Sequence, residues 1–303
     1  MGKPRGCSET HPKHEVITML LPKSPRRIHF SPLRYPGGKS VLVELIARTI
    51  KANNIQSVSY VEPFAGGAGA ALGLLLTEQV SDILINDLDR SVYNFWISIL
   101  YESERFIHNV FSIDLTIEEW KRQKEIYRTS TDSFDCGFAA FFLNRTNRSG
   151  IFNAGPIGGM AQEGDWKLDA RFNRKALAER IELIARYRDR IRVANDEGRI
   201  LIKKYSQQKN TLLFVDPPYY EKGSSLYLNA YCSDDHIELG SVLNSLSATK
   251  WILTYDNVPP IRRIYQERKN QFDVSLHYQA HARKMGSEVI VFSDTLSLPD
   301  FRQ

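Results

Sequence analysis

Cysteine is scarce in this 303-residue chain: Cys7, Cys136 and Cys232 are odd in number and far apart. That spacing builds neither a disulfide framework nor a thiolate metal site, so a reducing cytosol is the expected setting. The histidines are scattered too, and without a His/Cys cluster at ligand spacing no metal ion is expected. No apolar run approaches the ~20 residues of a membrane span. The apolar stretch at 16–21 is too short for the core of a signal peptide and runs into Pro22 and Lys23. There is no internal repeat. Charge of one sign does not dominate: 40 Lys and Arg against 35 Asp and Glu leave +5, with a pI near 9.0. This mild basic bias suits a polyanionic partner without identifying one. The expectation is a soluble cytoplasmic protein, long enough for one large core or a domain carrying an insertion.

What is present centres on Asp216-Pro217-Pro218-Tyr219, directly after Thr211-Leu212-Leu213-Phe214-Val215. The apolar run reads as a buried strand. A carboxylate, two prolines and a tyrosine therefore stand at the carboxyl end of a core strand, where open α/β sheets bind ligands. Two prolines lock a rigid turn and leave carbonyls free to accept. Asp216 adds a second acceptor and Tyr219 a flat apolar face. An amino group on a flat ring, as in exposed adenine or cytosine, fits that pair; a plain turn is the other reading of the tetrapeptide.

Upstream, Arg34-Tyr35-Pro36-Gly37-Gly38-Lys39-Ser40 opens a helix. It is similar to a phosphate loop, but that motif needs a glycine where Leu33 stands and a strand before it. Strand-like Val58-Ser59-Tyr60-Val61 runs into Glu62-Pro63-Phe64-Ala65-Gly66-Gly67-Ala68-Gly69 and then a helix. Strand, glycine turn, helix is the start of a nucleotide-binding βαβ unit. The next strand, Asp82-Ile83-Leu84-Ile85, ends in Asn86-Asp87, an acid placed for ribose hydroxyls. Glu62 ahead of the glycines suits a ligand with positive groups better than a pyrophosphate; S-adenosylmethionine is such a ligand.

The pattern is helical from Ser91 to about Arg128 and again over 134–143. From Asn144 to Gly159 it turns polar, Gly-rich and basic, which predicts a long loop or hairpin. Arg145 and Arg148 with neighbouring amides and Phe152 are the vocabulary of phosphate and base-edge contact. A helix follows over 176–190, then two short strand-like pieces over 190–203. A flap is predicted over 221–233, a helix over 234–246, and strand Trp251 to Thr254 leading to Tyr255-Asp256-Asn257. A closing antiparallel pair at 272–278 and 288–293 flanks the basic turn His281-Ala282-Arg283-Lys284. Residues 1 to about 30 read as a mobile arm.

Taken in order, these motifs resemble the Dam-like (D12 class, α-group) DNA adenine-N6 methyltransferases from Arg34 to Asp294. The resemblance implies an α/β, Rossmann-like S-adenosylmethionine-dependent methyltransferase sheet. That sheet would be mostly parallel, with one antiparallel strand near the carboxyl terminus and an inserted, mainly helical target-recognition domain. It places an arm at 1–30, the catalytic domain at 31–102 and 191–303, and target recognition at 103–190. It implies methyl transfer from S-adenosylmethionine to the N6 amino group of a flipped adenine in double-stranded DNA, by a monomeric bacterial or phage enzyme that needs no metal and no membrane. Restriction-modification is one setting for such an enzyme. N4-cytosine transfer and a non-catalytic DNA-binding scaffold stay open as alternatives.

Residue by residue, the resemblance implies cofactor contacts from Tyr35, Lys39, Glu62, Phe64, Ala65, Gly66, Gly67, Gly69, Asp87 and Asp216. Asp216 and the Pro217 carbonyl would take the target amino group, with Pro218 completing the turn and Tyr219 under the base. Arg145, Arg148, Ser149, Phe152 and Asn153 would meet DNA. Two departures stand out. Where an acid and an aromatic are expected at the cofactor adenine, some ten residues before Asp216, the chain has Lys204-Tyr205-Ser206-Gln207, leaving Tyr205 to pack on the ring. The hairpin also lacks the Arg that GATC readers carry, so GATC is not assigned.

Overall fold

The computed structural model describes Met19 and residues 29–35, 37–221, 231–277 and 285–299. Most of the amino-terminal arm, most of the flap and the whole turn 281–284 lie outside the described residues. Met19 is an exception within the arm: it is buried, and its N–H donates to the Asp273 carbonyl at 2.9 Å. That residue is docked on the sheet rather than mobile.

Seven strands make one sheet: β1 (Ser59–Glu62), β2 (Asp82–Asn86), β3 (Ile191–Ala194), β4 (Thr211–Val215), β5 (Lys250–Asp256), β6 (Gln271–His277) and β7 (Met285–Phe292). Their order is β3-β2-β1-β4-β5-β7-β6. The first five run parallel, and β7 is antiparallel to both of its neighbours. The helices are α1 (Val43–Ala52), α2 (Gly69–Leu76), α3 (Arg90–Tyr101), α4 (Ser103–Ser112), α5 (Ile117–Thr129), α6 (Ser133–Thr146), α7 (Arg174–Ala185), α8 (Gly198–Tyr205), α9 (Ser233–Ser245) and α10 (Pro259–Ile264).

Strand alternation sends successive side chains to opposite faces. Tyr60, Ile83, Leu212 and Phe214 join one core with α1, α2, α3, α6 and α7. Val61, Leu84, Leu213 and Val215 join the other with α8, α9 and α10. The helix after β1 thus covers one face and the helix before β4 the other. The β1–β4 junction is therefore the switch point, and a crevice opens there beyond the strand ends.

The helical segment between β2 and β3 shares the first core. Phe95, Phe106, Phe138 and Phe141 interlock with ring centroids 4.9–6.1 Å apart across α3, α4 and α6 together with Trp96, a range at which edge and offset ring contacts are favourable. Two sequence expectations need correction here. Helix α6 continues through Asn144 and Arg145 to Thr146, so the polar run begins as a buried helix end rather than a loop. The second strand-like piece near 200 is helix α8: Glu197 accepts from the Arg199 and Ile200 amides at 3.0 and 3.2 Å, capping a helix that buries Leu201, Ile202 and Tyr205.

Candidate active site at the carboxyl edge of the sheet

Asp216 leaves the end of fully buried β4 beside the end of β1. Lys39, 4% exposed, reaches it from the Gly37-Gly38 loop, with Nζ 2.8 and 2.9 Å from the two carboxylate oxygens. The Thr254 hydroxyl donates to Asp216 Oδ1 at 2.6 Å. Lys39 also donates to the Gly37 carbonyl at 2.8 Å and lies 3.5 Å from Glu288. Burial raises the Asp216 carboxyl above the ordinary range, the Lys39 ammonium opposes this, and Glu288 reinforces it. Tyr219 is largely buried; its hydroxyl donates to Glu288 Oε1 at 2.6 Å and lies 3.2 Å from Lys39 Nζ. These bonds fix the ring plane. After the turn, Asp256 at the end of β5 accepts from the Tyr220 and Glu221 amides at 2.9 Å each. The Pro217 carbonyl accepts no hydrogen bond among the described residues.

Gly37 is required twice over: its φ is +78°, and a Cβ there would stand 2.8 Å from the Tyr219 hydroxyl. At Gly66, φ +48°, a Cβ would strike the Tyr35 ring at 2.5 Å, so Tyr35 lies on the glycine loop. Gly69 opens α2 against the Ser40 amide, and the Trp96 indole braces the Gly66 carbonyl at 3.0 Å. Glu62 faces inward rather than into the crevice. Its Oε1 accepts from the Tyr60 hydroxyl at 3.1 Å and the Ala71 amide at 2.9 Å. Burial pushes its carboxyl up to about 8. Phe64 packs on Gly198 and, edge-on, on Tyr231, while Ala65 donates to the Asn86 carbonyl at 2.8 Å.

Asp87 follows β2, accepting from the Gly66 amide and the Asp89 amide at 2.9 Å each, and burial raises it to about 7. Asn86 ties three ends together: its amide donates to the carbonyls of Pro63 and Asp196, and its oxygen accepts from the Asp196 amide at 2.8 Å. An exposed acid, Asp196, therefore stands at the end of β3 on the same edge as Asp87. The sequence reading missed it by looking nearer to Asp216; an acid directly after a predicted strand was the available signal. Tyr205 requires correction. It is buried at the far end of α8, beneath Arg192, which pairs with Asp82 at the amino end of β2. It faces the opposite edge of the sheet and cannot line the crevice.

Of the residues expected on DNA, Arg148 and Asn153 are exposed and Ser149, at φ +57°, is half-buried. Arg145 is 8% exposed. Phe152 is buried and stacks on Tyr127 with centroids 5.5 Å apart, so its role in this structure is packing. Asn144 and Asn147 are interior clamps. Asn144 bonds the Arg34 backbone at both N–H and carbonyl, and Asn147 accepts from the Trp120 indole while donating to the Ile151 and Phe152 carbonyls.

The strand order, the glycine turn after β1, the acid after β2 and Asp-Pro-Pro-Tyr after β4 define an α/β enzyme of the methyltransferase class. Within that class the chain matches the D12 class N6 adenine-specific DNA methyltransferases over residues 35–285 and belongs to that family. It is accordingly an enzyme that methylates adenine N6 in DNA. A structural likeness of TM-score 0.36 and 13% identity is found with the rRNA methyltransferase aviRa from Streptomyces viridochromogenes, covering 90% of this chain and 88% of that one. No curated protein matches the sequence.

Proposed function

We propose that the methyl donor is S-adenosylmethionine, seated against the glycine loop, and that the acceptor is an adenine flipped out of duplex DNA onto Asp216-Pro217. The observation that carries this reading is the pair of acceptors at the end of β4: the Asp216 carboxylate and the Pro217 carbonyl, beside the β1 glycine turn. The donor set fits the cofactor. Asp87 and Asp196 offer carboxylates for ribose and adenine groups at adjacent strand ends, and the nearby ammonium, Lys39, is already matched by Asp216. A cationic ligand suits this corner better than a pyrophosphate.

S-adenosylmethionine supplies an electrophilic methyl on its sulfonium. The protein must improve a poor nucleophile, because the N6 lone pair of adenine is delocalised into the ring. Hydrogen bonds from the amino group to Asp216 and the Pro217 carbonyl favour a tetrahedral nitrogen with its lone pair turned toward the methyl. Asp216, raised by burial, is also placed to hold the proton that the nitrogen loses. The remaining acceleration is alignment for in-line displacement. Flipping costs a few kcal/mol of unstacking and unpairing, and stacking on Tyr219 offsets roughly 1–3 kcal/mol of it. Target recognition belongs to residues 103–190, with Arg148, Ser149 and Asn153 of the hairpin toward DNA, while 31–102 and 191–303 carry catalysis.

The test combines titration calorimetry with S-adenosylmethionine and transfer of a tritiated methyl group to duplex DNA. Binding heat together with label recovered as N6-methyladenine is expected. No heat with S-adenosylmethionine, or label that never reaches DNA, overturns the reading.

A further inference from the structure

Four arginines meet where the Arg34 segment touches the helical insertion. Arg145 lies in the last turn of α6, Arg171 ends the short turn Leu168–Arg171, and Arg180 lies in α7. Arg34 is held in place by Asn144, whose oxygen accepts from its amide at 2.7 Å and whose amide donates to its carbonyl at 2.8 Å. One Arg34 guanidinium nitrogen donates to the Asn147 carbonyl at 3.2 Å, and Arg180 donates to the Ser31 carbonyl at 3.3 Å. Among the described residues no carboxylate pairs with any of the four, although other arginines, such as Arg48, Arg122, Arg186 and Arg190, find acids. Arg145 is the extreme case: 8% exposed, its Nε is shut from solvent without a hydrogen-bond partner. Burial and the fields of Arg180, Arg34 and Arg171 hold its guanidinium down at about 9, far below the ordinary value. Arg171 is exposed and Arg34 and Arg180 are half-buried, so three guanidinium groups reach solvent around the buried Arg145. Like charges gathered without an acid are unfavourable in the free protein, and an anion arriving from outside relieves that cost.

We propose that Arg34, Arg145, Arg171 and Arg180 form a socket for the phosphate backbone of the DNA substrate. The proposal rests on the family's action on DNA. Guanidinium forks match phosphate oxygens in pairs, which an ammonium cannot do. Three of the four come from the helical insertion and none from the glycine loop, which favours the nucleic acid over the carboxylate of the cofactor. Arg34 immediately precedes Tyr35, whose ring lies on Gly66, and belongs to the segment that carries Lys39 to Asp216. The segment that grips the backbone is thus the segment that organises the catalytic acid.

The experiment uses the full chain and Arg171→Gln, Arg180→Gln and the double variant. A short fluorescent DNA duplex is titrated by anisotropy over a range of salt, S-adenosylmethionine binding is measured by calorimetry, and melting is followed with and without added sodium sulfate. Each substitution should lower the slope of log affinity against log salt by about one, and the double variant should bind roughly tenfold more weakly. Affinity for S-adenosylmethionine should not change. The variants should melt no lower than the wild type, and sulfate should raise the wild-type melting temperature more than that of the double variant. An unchanged salt slope with a lowered melting temperature assigns the arginines to structure and overturns the socket. Lost S-adenosylmethionine affinity with an unchanged slope assigns them to the cofactor and also overturns it. Failure of the wild type itself to bind the duplex defeats both the socket and the DNA reading of the site; wild-type binding with an unaltered slope in the variants defeats the socket alone.

Discussion

Lys39 and Arg145 are the buried lysine and the buried arginine among the described residues, and they are housed in opposite ways. Lys39 meets the Asp216 carboxylate, the Gly37 carbonyl and the Tyr219 hydroxyl, with Glu288 close by. Among the described residues the Arg145 Nε meets no acceptor, and its guanidinium lies in the field of Arg180, Arg34 and Arg171. A buried charge with its partners in place defines a geometry, because moving any member leaves another uncompensated. A buried charge without partners leaves a cost that a ligand can remove. The first arrangement is what a catalytic acid needs before substrate comes; the second is what a binding surface shows before its ligand comes.

Breaking the satisfied network has the largest expected effect. Asp216→Ala removes the carboxylate acceptor, and methyl transfer should fall on the order of 10³-fold, the scale of losing a partner to charge that develops in the transition state. S-adenosylmethionine binding should largely survive. Equal loss of both in a tritium-transfer and calorimetry pair would move Asp216 from the chemistry to cofactor binding. The contrast itself is sharpest in Lys39→Met against Arg145→Met. The first strands the Asp216 charge and should cost about 3 kcal/mol in urea denaturation, whereas the second removes a charge that had no partner and should cost little or stabilise. Lys39→Met should also move the ionisation of Asp216 upward, shifting the acid limb of the rate profile to higher pH. Equal destabilisation of the two variants would show that Arg145 is as well compensated as Lys39.

A smaller effect comes from the raised carboxyls. Glu62 is held up at about 8 and Asp87 at about 7, each mainly by burial. The native chain therefore retains protons that the unfolded chain releases near the ordinary carboxylate values. Their contribution to stability is fully present below the ordinary carboxylate values and is lost progressively as pH rises from there through about 7 for Asp87 and about 8 for Glu62. Glu62→Gln keeps an acceptor for the Ala71 amide and cannot ionise. Denaturation midpoints across this range should fall with pH in the wild type and less steeply in the variant. Parallel profiles would mean that Glu62 does not carry the dependence.

The strand-end half of the site was legible in the sequence because its signals are local. An apolar strand running into Asp-Pro-Pro-Tyr, or into a glycine turn, carries its own start and stop residues within a few positions. The insertion was less legible. Asn144 and Asn147 belong to the turn vocabulary, yet here each serves contacts that only the folded chain creates, such as the Arg34 backbone 110 residues away. Arg145 and Phe152 looked like contact residues by type, and their burial depends on what α6 and Tyr127 pack against. Helix α8 was read as a strand because Ile200-Leu201-Ile202 is rich in β-branched residues. Its capping acid Glu197 was the local signal that outweighs that preference.

The finest discrimination concerns the two ends of α8. The helix starts at Gly198 beneath Phe64, on the edge that holds Asp87, and finishes at Tyr205 beneath Arg192. Arg192 bonds Ser59 and Asp82, the first residues of β1 and β2. At roughly 3.3 Å per residue, strands of this length put about 15 Å between the two edges, too far for one bound ligand corner to use both. Asp196→Asn should therefore weaken S-adenosylmethionine binding several-fold while leaving the fold intact, because its backbone bonds to Asn86 do not involve the carboxylate. Tyr205→Phe should leave that affinity unchanged. Calorimetry on the two variants reads the difference directly: a weakened Tyr205→Phe beside an unaffected Asp196→Asn would return the cofactor adenine to the opposite end of the helix, and with it the whole orientation of the crevice.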